Sequence, residues 1–103
     1  HQVQIDAAFQ ELRERYRRSR EILARLRGPL EPLPFNSGYF LCFELPGGGA
    51  EALRLALLRE HGIGTVSIQD RYLRVAYSTV DAERLEELYT TIYRVAADTP
   101  SQA

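Results

Sequence analysis

The sequence predicts an α+β fold: a small, mainly antiparallel sheet of two or three strands with helices packed on it, in the order helix, strand, helix, short strand, strand, helix. Three observations carry this. Apolar residues recur at helical spacing near both ends and once between; Gly38–Leu45 and Arg71–Ser78 read as strands; and the mixed order, with no internal repeat, implies helices layered on a sheet. At 103 residues, 45% hydrophobic and 26% charged, the chain suits one domain spanning 1–103 with a modest core.

The first helix is expected from about Ile5 to Arg27, where Ile5, Phe9, Leu12, Tyr16, Leu23 and Leu26 fall on one face. Gly28 and Pro29 stop it. Glu11, Glu14 and Glu21 each precede an arginine by four residues (Arg15, Arg18 and Arg25), the orientation that best supports an exposed helix face. Prolines 29, 32 and 34 make the next stretch an extended connector. The near-continuous apolar run "GYFLCFEL" suggests a central strand covered on both faces, with Cys42 in the core.

A second helix is predicted from about Ala50 to His61, ended by Gly62 in a left-handed conformation. The three glycines before it lack the lysine and hydroxyl pair of a phosphate loop, so they read as a plain strand-to-helix connection, and His61 as a surface residue. "IGTVSI" is a short strand, "QDR" a turn, and "YLRVAYS" the second strong strand, with Leu73, Val75 and Tyr77 on a core-like face and Tyr72, Arg74, Ala76 and Ser78 on the other. Asp81 can cap the last helix, Val80 and Leu85 are spaced as a staple, and Leu85, Leu88, Tyr89, Ile92, Val95 and Ala96 form its stripe. "DTPSQA" reads as a frayed tail.

Composition narrows the chemistry. The net charge of −1 provides no overall attraction to nucleic acid or membrane, and acids interleaved through the arginine-rich helix oppose phosphate binding. All thirteen basic residues are arginine, so no lysine amine is present to act as a nucleophile or cofactor anchor. The single cysteine forms no intrachain disulfide, and no segment has the length and apolarity of a membrane span or the pattern of a signal peptide, which together lead to a cytoplasmic expectation. The opening "HQVQ" lacks an initiator methionine, as a processed chain or fragment would. Small residues beside Arg74 leave open space above the guanidinium that suits solvent or a bound anion; on residue type alone, a solvated arginine or a pair with Glu44 is the favoured account.

Three ordered stretches, "NSGYFLCFEL", "ALRLALLREHGIGTVSI" and "YLRVAYSTVDAERLEELYTTI", resemble the C-terminal small domain of class I/II, fold-type-I pyridoxal-phosphate aminotransferases, over roughly residues 9–97. The resemblance implies that Arg74 grips the α-carboxylate of an amino acid or 2-oxo acid substrate, and that Gly38 and Phe40 lie near the substrate mouth. The family's frequent paired glycine is here Ser37 and Gly38. It implies further that pyridoxal 5'-phosphate and its lysine belong to a preceding large domain, that the parent is a homodimer, and that this chain alone is inactive. An exposed patch including Phe35, Tyr39 or Phe40 is then expected where the large domain packs. The alternatives are a stand-alone small-molecule-binding or regulatory module and an arginine-helix nucleic-acid binder using Arg13 to Arg27.

Overall fold

In a computed structural model, residues 2–34 and 39–99 are described, with side chains from Ala7 onward. Helices α1 (Gln2–Arg25), α2 (Ala50–His61) and α3 (Leu85–Asp98) pack on a sheet of β1 (Glu31–Pro32), β2 (Leu41–Glu44), β3 (Val66–Ile68) and β4 (Tyr72–Val75). The strand order is β1-β2-β4-β3, every pairing antiparallel. This is the expected α+β arrangement with one strand more. Glu31–Pro32, within the segment read as a connector, pairs with Glu44 and Phe43 at the sheet edge, where a proline's missing amide costs no ladder bond.

One face of the sheet makes the core. Leu41 and Phe43 of β2 stand opposite Val75 and Leu73 of β4, and all four are buried. The rings of Phe43 and α3's Tyr93 meet edge-on at 6.0 Å. Tyr77, in a 3₁₀ turn beyond β4, continues the buried face as predicted. The other face stays open, which corrects the sequence expectation for β2. Cys42 is half-buried on that open face, opposite Arg74, instead of in the core. Its apolar run masked the alternation, since Cys42 and Phe40 are apolar without being inward.

α3 buries its predicted stripe except Leu88, which is half-buried against the core, and buries Thr91 and Tyr93 as well. Its start differs: a 3₁₀ turn at Ala82–Arg84 intervenes, and Asp81 accepts from Arg84 N through its carbonyl at 2.9 Å with no side-chain cap. Glu86 and Glu87 in the first turn of α3 complement its dipole. α1 ends at Arg25 rather than Arg27, and Phe9 is 58% exposed, a departure from the predicted core face. The fourteen-residue α3 covers only the later part of the twenty-four-residue α1. Ile22 and Ser19 are buried there, and Ser19 Oγ lies 2.7 Å from Tyr89 Oη. Ile5's side chain, Phe35 to Gly38 and the tail from Pro100 lie outside the described residues.

Only one of the three anticipated ion pairs on α1 forms, Glu11 with Arg15 at 4.0 Å. Arg17 bridges Glu14 and Glu21, while Arg18 and Arg25, seven residues apart on the side facing α3, both reach Glu86 at 3.8 and 3.3 Å. α2 ends at Gly62 as read, with φ 67°, so that Gly62 N and Ile63 N donate to the Leu58 and Leu57 carbonyls at 3.1 and 3.0 Å. At its other end the cap comes from far along the chain. Asp70, in the β3–β4 turn, accepts from Gly49 N at 3.2 Å and Glu51 N at 2.9 Å.

Candidate functional site

The open sheet face is laid out in rungs. Glu44, Tyr72 and Ile68 form one; Cys42, Arg74 and Val66 form the next. Side chains that oppose one another on paired strands share a face, so Arg74 is flanked by a thiol and a valine. Val66 and Ile68 are exposed, as are Tyr39 and Phe40 at the entry to β2. The last two are the exposed aromatics anticipated from the sequence; Phe35, expected in the same patch, and Gly38, expected with Phe40 near the substrate mouth, lie outside the described residues.

The guanidinium of Arg74 is exposed, with its Cζ 4.7 Å from the centroid of the Phe40 ring. The structure thus brings two of the three predicted site residues together. The competing account of Arg74, a pair with Glu44, is not what forms. Glu44 Oε2 instead accepts from Arg71 Nε at 2.8 Å and Nη2 at 2.6 Å. Arg71 stands one position before β4 and reaches back across the Glu44 rung, a choice fixed by the tight β3–β4 turn, where Gln69 and Asp70 both hold φ 54° and Arg71 N donates to the Ile68 carbonyl at 3.0 Å. Among the described residues no carboxylate pairs with Arg74.

Burial pushes the Cys42 thiol above its ordinary pKa, with the nearby Arg74 acting in the opposite direction. A raised pKa keeps the thiol in its protonated form, the less nucleophilic one. Val66 and Cys42 were missed as neighbours of Arg74 because strand register, not local sequence, places them there.

The glycine loop is no anion cradle. The Asp70 carboxylate already occupies the amides at the start of α2, consistent with the plain connection read from the sequence. A separate cleft of about 370 Å³ between the end of α2 and the start of α3 is lined in part by His61, Asp81, Arg84 and Glu87. Glu87 stands 3.8 Å from Arg84 and offsets its charge. Among the described residues there is no group of His, Cys, Asp and Glu able to hold a metal, and no helix long and apolar enough to cross a membrane. In comparisons with known proteins, no family model matches the chain and no curated protein is significantly similar to it.

Proposed function

We propose that this chain is the C-terminal small domain of a cytoplasmic, homodimeric, pyridoxal-phosphate-dependent aminotransferase, and that Arg74 binds the α-carboxylate during amino-group transfer between an amino acid and a 2-oxo acid. The observation that carries this reading is the state of Arg74: a guanidinium on an open sheet face with no carboxylate partner among the described residues, while the acid on its own strand pair, Glu44, is held by Arg71. A planar fork fixed on a strand binds a carboxylate through two parallel bonds and so orients the amino group beside it. The exposed Tyr39, Phe40, Val66 and Ile68 support the reading as the kind of apolar surface a large domain would cover.

The chain's own residues do not fit the cofactor. With no lysine in its 103 residues it has no amine to anchor pyridoxal 5'-phosphate, and the amides at the start of α2 are already bonded to Asp70. The cofactor and the group transfer it supplies belong in this proposal to the large domain, and the part left to this chain is to bind and orient substrate.

The test uses the gene's complete product. Arg74→Ala should lower kcat/KM for the amino-acid half-reaction by about 1.5–3 kcal/mol, roughly ten- to a hundredfold, the worth of a hydrogen bond to a charged group, with cofactor absorbance intact. Unchanged kinetics would remove the clamp. An upstream sequence without a lysine-bearing domain would instead favour a stand-alone binding module.

A further inference from the structure

We infer that Phe40 is a positioning residue for Arg74: its ring is a seat that holds the guanidinium in the orientation a carboxylate needs. This deepens the clamp reading and rests on it. The two arginines of the open face are restrained in different ways. Arg71 is locked by two hydrogen bonds to Glu44 and lies over Tyr72 at 5.9 Å. Among the described residues Arg74 has no such lock, and its ring contact at 4.7 Å is the closest of three cation–π pairs, the others being at 5.9 Å.

The geometry follows from the register. Cys42 stands opposite Arg74 and the ladder ends one pair further on, at Leu41 and Val75; Phe40, the residue just before β2, brings its ring over the Arg74 guanidinium from beyond that end. An unrestrained arginine ranges over many rotamers, and ordering it on binding weakens affinity. A cation–π contact at an exposed site favours the seated form by about two- to fivefold and so removes part of that penalty before substrate arrives. The ring surface that meets the guanidinium is occupied by it, which makes Phe40 a support for the clamp more than a substrate contact.

The experiment follows the arginine side chains of this chain by NMR, with pyruvate as the probe, in wild type, Phe40→Leu, Phe40→Tyr and Arg74→Ala. In the wild type the Arg74 side-chain protons should be shifted upfield by the ring and its Nε–Hε signal ordered. Phe40→Leu should lose both and weaken pyruvate binding about two- to fivefold. Phe40→Tyr should restore all three properties. Equal urea midpoints across the Phe40 variants show that folding is not what changed. Wild-type ordering in Phe40→Leu, or failure of Phe40→Tyr to restore it, overturns the inference. The clamp reading fails separately if the pyruvate response survives in Arg74→Ala. The ring-current shift decides the seat even where pyruvate binds too weakly to titrate.

Discussion

Removing the Ser19 hydroxyl should cost more stability than removing the Tyr89 hydroxyl it meets. Both residues are fully buried between α1 and α3, and their oxygens are 2.7 Å apart, an ordinary O–H···O length. Ser19→Ala strands the Tyr89 hydroxyl in the core, a desolvation penalty of about 1–3 kcal/mol. Tyr89→Phe keeps the ring packing and leaves Ser19, whose hydroxyl can turn back to a carbonyl of its own helix, so about 0.5–1.5 kcal/mol is expected. The double variant removes both polar groups and should fall well short of the sum, giving a coupling of about 1–2 kcal/mol. Urea denaturation at constant m-value measures each variant, and a loss of about 2 kcal/mol should also lower Tm by about 10 °C in a domain of this size. Additive losses, or a Ser19→Ala variant as stable as wild type, would refute the reasoning.

Three further outcomes are expected. Gly62→Ala should destabilise by about 1 kcal/mol in chemical denaturation; no atom lies within 4 Å of the added methyl, so the cost is that of holding a non-glycine residue at φ 67°. Asp70→Ala should cost about 1 kcal/mol by the same measure, because two amides at the start of α2 lose their acceptor, while Asp70→Asn retains most of the cap. Burial raises Tyr89 and Tyr93 to about 12, against about 10 in the unfolded chain, so their neutral forms are favoured by folding. That contribution is complete below about pH 10 and is lost as pH rises towards about 12, and stability followed against pH should drop across that window together with the appearance of buried tyrosinate absorbance.

What the sequence could reveal was set by range. The inward face of Leu73, Val75 and Tyr77, the stripe of α3 and the stop at Gly62 are functions of neighbours within a turn or a strand, and each formed as read. Phe9 has the spacing of a core residue, but burial needs a partner element, and α3 does not extend over it. Glu14, Glu21 and their arginines re-sorted because Glu86, sixty-one residues beyond Arg25, competes for Arg18 and Arg25. At the candidate site, the outward face of Arg74 was legible from alternation. That Glu44 would be taken by Arg71, and that Phe40 would lie under Arg74, depended on register and on a turn two left-handed residues deep.

The reach of Asp70 from a hairpin turn to the amides of α2 also bears on how the molecule opens. A helix start capped by its own preceding residue can fray alone; here Gly49 and Glu51 lose their acceptor whenever the β3–β4 turn swings away. Their amides should therefore exchange with solvent in step with that turn and not with the rest of α2, which joins two segments about twenty residues apart in sequence into one cooperative opening unit beside the sheet edge.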